Sequence, residues 1–337
     1  MGSFSIQCGL SLFKSVSGLD TFFRTMADES VESDHNEEKL YLHPPSGLMV
    51  DQMPDLPQAD KILAESLNDL SLEEREKVYE DIHGISDSIK ETPELLEKAL
   101  LDLDVELSII KEKAAYEKAL KASTDYVTDV SFRIRFLRAD LYDSKKAASR
   151  MVRYFETKSE LFGDERLALP IRLADLTDLE VAFLKRGSFQ VLHSRDTKGR
   201  AVVVSMTAHH SFPRPEIVDP AIMVQKVFWY AMGTLVEDEE TQKNGVVFII
   251  YGIGSKMQAN EMSRKIWWGC SRITMTLPLY LTSVHYCNNK SIVGPQVPFV
   301  ALSVGPEVRA RMRTHQGEFG RHEVKLTYSS GLTWLYS

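Results

Sequence analysis

Apolar residues in the first half of the chain recur every three or four positions; in the second half they gather into short β-rich runs separated by helical stretches. Ser71-Leu72-Glu73-Glu74 is a capping box, in which the serine and glutamate side chains satisfy each other's orphan amides. Val78, Ile82, Ile85 and Ile89 follow at near-helical spacing, with Gly84 as an interruption. Thr92-Pro93-Glu94 opens a further helix, because proline at the first helical position loses no hydrogen bond. Leu96, Leu100, Leu103, Leu107 and Ile110 continue it. Between Phe132 and Phe162 the pattern reads as a short helix, a turn and a longer amphipathic helix. Phe136, Leu137 and Leu141 lie around the turn, and Asp143 stands at the N-cap. Ala147, Met151, Tyr154 and Phe155 share one face of the longer helix.

The period changes after Pro170. Phe189–Ser194 and Ala201–Met206 read as strands joined by the polar turn Arg195-Asp196-Thr197-Lys198-Gly199-Arg200. Asp219 caps a helix running to Val236, with Pro220 at its first position. Val246–Ile253 shows no alternation, as expected of a strand covered on both faces. A helix is expected over Met262–Met275, strands over Leu279–Tyr286 and Phe299–Val304, and a helix over Glu307–His315. Strands separated by helices imply an α/β fold with a largely parallel sheet and crossover helices. No internal repeat is present.

Composition narrows the class. The 337 residues are 43% apolar and 26% charged, as in ordinary globular chains. No apolar run reaches the ~18 residues that span a bilayer. A net charge of −8 gives no field for nucleic acid, so no nucleic-acid partner is expected. Cys8, Cys270 and Cys287 form neither a disulfide framework nor a zinc spacing, which points to a reducing compartment and no metal. The first 25 residues carry Lys14, Arg24 and a single acid, Asp20, so organelle targeting and an alternative start at Met26 are both open. Ile6 breaks a myristoylation motif at Gly2.

Several segments, in order, resemble the CRAL-TRIO family of lipid carriers, which includes yeast-type phosphatidylinositol transfer proteins and the tocopherol and retinaldehyde carriers. Phe136-Leu137-Arg138-Ala139, followed by Asp143 and an alanine-led helix, is similar to the end of that family's helical region. Asp196-Thr197-Lys198-Gly199-Arg200 resembles its D-x-x-G-R turn. Pro278, Leu279-Tyr280-Leu281, Val284 and Asn288 resemble its proline, strand and asparagine sequence, and Pro298-Phe299-Val300 its lysine-proline-phenylalanine-leucine segment. The resemblance covers about Asp129 to Gly317. It departs at Tyr251, where the family has aspartate; at Leu277, where it has tyrosine; at Val297, where it has lysine; and after Pro278, where an acid is missing. The family's inositol-contacting acid and lysine are thus absent, which favours another phospholipid, a sterol or an isoprenoid.

Composition and the breaker Pro44-Pro45 mark residues 1–56 as a flexible leader and periodicity marks 57–162 as a helical N-terminal region; the resemblance implies 163–317 as a CRAL-TRIO-like domain enclosing an apolar cavity, which leaves 318–337 as an extension. It implies a lipid ligand, transient contact with anionic membrane, a cytoplasmic monomer, no enzymatic activity and no cofactor. Pocket candidates are Met223, Phe228, Trp229, Met232, Phe248, Ile250, Trp267, Trp268, Leu279, Leu281 and His285, although plain core is the commoner fate of such residues. Trp267 and Trp268, adjacent on a helix, cannot share one face. Arg309, Arg311, Arg313 and Arg321, with His315 and His322, form a basic cluster suited to an anionic membrane or to a solvated face. Two other classes stay open: a nucleotide-dependent oxidoreductase using Gly252-x-Gly254 with Arg272, and a lipid-sensing scaffold that does not transfer its ligand. His209 and His210 have no metal-ligand spacing, and Cys270 and Cys287 suit inert core thiols.

Overall fold

The structure is a computed structural model that describes residues 68, 70–85, 89–207, 219–252, 260–289 and 299–317. The leader, His209, His210, Gly254, Arg321 and the C-terminal extension therefore lie outside the described residues. The helical region comprises α1 (Leu72–His83), α2 (Pro93–Ile109), α3 (Ala114–Ala122), α4 (Thr124–Thr128), α5 (Val130–Ala139) and α6 (Ser144–Phe162). Its starts are set by side-chain caps. The Ser71/Glu74 box closes on α1, Thr92 accepts from the amide of Leu95, and Asp143 accepts from that of Lys146. Gly84 ends α1 in the left-handed conformation, so Ile85 and Ile89 fall beyond the helix and are exposed.

Phe136, Phe155 and Met151 from α5 and α6 are fully buried, together with Leu103 of α2. Their cluster continues without a break into Phe228, Trp229 and Leu277 of the second half, so one apolar core joins the two regions. Polar clamps fix the same junction. Arg150 makes a two-pronged pair with Asp140 at 2.7 Å on both arms and donates its remaining Nη1 to the carbonyls of Met275 and Leu277. Arg138 holds Glu91 with two bonds, and also reaches Gln242 and Glu239.

After α7 (Asp178–Lys185) the chain forms β1 (Phe189–Val191), β2 (Ala201–Met206), α8 (Pro220–Val236), α9 (Glu239–Asn244), β3 (Val246–Tyr251), α10 (Glu261–Thr276), β4 (Leu281–Asn289), α11 (Pro306–Ala310) and β5 (Met312–Gly317). The sheet order is β1-β2-β3-β4-β5, with β1 antiparallel to β2 and every later pair parallel. The D-x-x-G-R turn between β1 and β2 explains its own sequence. Asp196 accepts from the amides of Lys198 and Arg200 and from the Arg200 guanidinium, while Gly199 adopts a φ of +74°. Arg200 then donates to the Asp81 carbonyl, tying α1 to the start of β2.

Two expected elements differ. Residues 299–303 are helical rather than extended, because Phe299, Val300 and Val304 belong to a crossover that packs its apolar side on Val284 and Met312. Glu307–His315 is not one helix: α11 stops at Ala310, and Met312 onward pairs with β4. Here the pairing available at an open sheet edge outweighs a weak local helical period.

Candidate functional site

Each parallel connection moves one strand in the same direction, so right-handed crossovers place the helices on one side of the sheet. The contacts agree. Phe189 and Phe248 meet Phe228 of α8 with ring centres 5.2 and 5.7 Å apart, Tyr286 meets Trp267 of α10, and Val284 and Met312 pack with Val304 and Val308. Gly269 permits the close approach of α10 to α8, since a Cβ there would lie 2.1 Å from the Gln225 side chain.

This arrangement accounts for most of the pocket candidates. Met223, Phe228, Trp229, Met232 and Leu279 belong to the core beneath the helices, with Phe248 packed against it. Ile250 and Leu281 belong to a second cluster on the same side, against which Trp267 packs. Trp268 is half-buried one position further round α10. His285 alone of the candidates points to the other face.

That second face is set by strand register. Side by side lie Val202, Val204 and Met206 of β2, Val247, Ile249 and Tyr251 of β3, Ser283, His285 and Cys287 of β4, and Arg313 and His315 of β5. A register shift at the start of the β3–β4 pair seats Ser283, rather than Thr282, beside Val247. Val202, Val204 and Val247 are buried, yet they belong to none of the three apolar clusters of the described residues. The face is divided. Its β2–β3 half is aliphatic from Val202 to Ile249 and ends in Met206 and Tyr251, and its β4–β5 half is polar.

In the polar half, Nδ1 of His285 and Nε2 of His315 are 2.9 Å apart, one donating and the other accepting. Burial, then the proximity of His315, Arg200, Arg313 and His83, pulls His285 down to about 4, so it is neutral at pH 7. Ser283 is fully buried, and its Oγ has no hydrogen-bond partner among the described residues. Sequence reasoning missed Ser283, because a lone serine in an apolar run carries no periodic or motif signal.

The arginines take several environments. Arg309 donates to the carbonyls of Ala301 and Val304. Arg311 lies 3.6 Å from the buried Asp81 carboxylate, which also accepts from the Tyr280 hydroxyl. Among the described residues Arg313 donates to the carbonyls of Ala310 and Met312, and burial lowers its pKa. These partners lie within the fold, so their placement lends no support to a membrane-facing arginine cluster.

A dinucleotide site draws no support either. The parallel strands run in sequence with no reversal of direction, and such a reversal forms the crevice that binds nucleotides in doubly wound sheets. Arg272 is committed to Glu160 at 2.6 Å. Burial pushes the Cys270 thiol up, as for an inert core cysteine. Among the described residues no group of three or more His, Cys, Asp or Glu is placed to hold a metal ion, and no helix is long and apolar enough to cross a membrane.

A helical region followed by a mixed, mostly parallel sheet with crossover helices is a CRAL-TRIO-like fold. No protein-family model matches the chain. Clavesin-1 of Xenopus laevis is 22% identical over 232 residues, covering 66% of this chain and 66% of that protein. Clavesin-1 of Pongo abelii is 23% identical over 233 residues, covering 66% of this chain and 62% of that protein. The chain thus spans slightly less than two thirds of the length of the relatives it matches. These matches support a distant, CRAL-TRIO-like relationship.

Proposed function

We propose that the chain binds one lipid-like amphiphile along the second face of its sheet and carries or presents it at membranes, without covalent chemistry. The carrying observation is the division of that face. Val202, Val204, Val247 and Ile249 offer an aliphatic surface, and Ser283, His285, Arg313 and His315 offer polar groups one and two strands away. A molecule with an apolar tail and a polar end matches both halves at once. Moving a lipid through water exposes about 0.8 kcal/mol of apolar surface per methylene, on the order of 10 kcal/mol for a long acyl chain. A carrier must offset that cost with an apolar lining of comparable extent. The distant relationship to lipid-binding proteins supports the same reading.

Native mass spectrometry of freshly purified protein, followed by organic extraction, tests it. The expected result is one bound amphiphile per chain, or uptake of one from mixed vesicles. A mass that stays unchanged after incubation with vesicles would refute the reading.

A further inference from the structure

We infer that the outer face of α2 is a docking surface for a basic amphipathic helix of a partner protein. The surface lies in the helical region and needs no bound lipid.

α2 is a firmly held platform. Its inner side buries Ala99, Leu103 and Leu107 in the main core. Thr92 caps its first turn, Ser144 of α6 donates to the Ala99 carbonyl, and Lys113 donates to the carbonyl of Leu107. On its outer side Leu101, Val105 and Ile109 are 62%, 57% and 62% exposed. Spaced four apart, they form one ridge of the helix surface, of the kind that seats in the groove of a second helix. Core packing does not explain residues so exposed. Helix propensity does not explain them either, because β-branched valine and isoleucine are poorer formers than the lysine or glutamate usual on a solvated face. Single exposed apolar residues are ordinary, but three on consecutive turns of one row make a continuous apolar strip.

The charges around the strip select its occupant. Glu97 heads the same row, Lys98, Asp102 and Glu106 form the row on one side, and Asp104 and Ser108 form the row on the other. Asp104 pairs with Arg133, whereas Glu97, Asp102 and Glu106 form no ion pair among the described residues. Lys98 is the single cation of α2, so the strip is framed by negative charge. An anionic membrane attracts lysine and arginine and would be repelled here. A second copy of the chain would set Glu97, Asp102 and Glu106 against the same three acids across a symmetric contact. A helix with an apolar stripe flanked by lysine or arginine satisfies both features. Its apolar residues cover the ridge, and its cations meet the acids at the rim.

The probe is a fluorescent synthetic helix of about 18 residues, leucine on one face and lysine on the other, titrated with full-length protein and followed by anisotropy. One control peptide scrambles the order to remove the apolar face, and a second carries glutamate in place of lysine. The basic amphipathic peptide is expected to bind at least about tenfold more tightly than either control. Leu101→Gln, Val105→Gln and Ile109→Gln together change no charge and suit a helix. They should weaken binding about tenfold or more and leave the thermal unfolding temperature unchanged. Asp102→Asn with Glu106→Gln should weaken it severalfold and flatten its salt dependence. Equal binding of the three peptides, or unchanged binding by the triple glutamine variant, would overturn the docking surface. A marked fall in that variant's unfolding temperature would also overturn it, since the ridge would then be packed within the fold. So would a wild-type dimer, seen by analytical ultracentrifugation, that the triple variant loses, because the occupant would be a second copy. Wild-type binding to phosphatidylserine vesicles that the triple variant loses would overturn it in favour of a membrane.

Discussion

Replacing Arg150 with methionine tests how the helical region is bound to the sheet. Arg150 is 5% exposed and its guanidinium makes four bonds: two to Asp140 at 2.7 Å, and two to the carbonyls of Met275 and Leu277 at 2.9 and 3.1 Å. Methionine fills a similar volume, so the apolar contacts largely survive. What is lost is the counter-charge of an almost buried carboxylate and the donors for two carbonyls at the end of α10. Breaking a buried pair by removing one partner costs about 3–5 kcal/mol, most of it from the charge left behind. Arg150→Lys keeps the charge but not the fork, and should cost about 1–3 kcal/mol. Pairing Arg150→Met with Asp140→Asn should recover part of the loss, because the stranded charge is gone. Urea unfolding is the assay, followed in parallel by tryptophan fluorescence and far-ultraviolet circular dichroism. Because one core spans both regions, the wild-type transitions by the two probes should coincide. A loss below about 1 kcal/mol in Arg150→Met would refute the clamp, and separated transitions in wild type would refute the single core.

Other outcomes follow from the same structure. Glu91 is held at about 2, chiefly by Arg138 with help from Tyr142 and Lys243, so it contributes stability above pH 4.5 that is lost as pH falls toward 2. Glu91→Gln should remove on the order of 3 kcal/mol at neutral pH and flatten that acid window. His285, a base whose pKa is lowered to about 4, works in a higher window: the unfolded chain takes up its proton near pH 6.5 before the folded one does. Stability should therefore fall by about 3 kcal/mol between pH 6.5 and 4, and His285→Phe should lose that slope in pH-dependent urea titrations. Gly199→Ala should cost about 1–2 kcal/mol by thermal unfolding, since alanine is strained at a φ of +74° and its Cβ would lie 2.8 Å from Asn244.

Much of the fold was legible because caps and turns are local chemistry. Ser71, Thr92, Asp143 and Asp219 announce helices, and each accepts the expected backbone amide. The D-x-x-G-R turn was equally readable, since its hydrogen bonds lie within five residues. The sheet's last portion was not, because β5 exists through its pairing with β4, and residues 299–303 are helical through tertiary packing. Site residues were harder still. Bulky residues such as Phe228 and Trp229 drew the eye, yet they form the core under the helices. The divided face follows from register alone: His285 and Arg313 are 28 positions apart in sequence and become neighbours only through parallel pairing. Asp140 and Arg150 likewise gave no signal, because nothing in their spacing shows that one guanidinium will also cap the end of α10.

Whether the ligand lies on the second sheet face can be tested by filling that face. Ile249, central among the aliphatic residues there, is replaced by tryptophan, and Met232, in the core beneath the helices, by leucine as a control. Native mass spectrometry after exposure to mixed vesicles then reads the occupancy of each protein. The account predicts one amphiphile bound to wild type and to Met232→Leu, and none to a folded Ile249→Trp. Full occupancy in Ile249→Trp would contradict it.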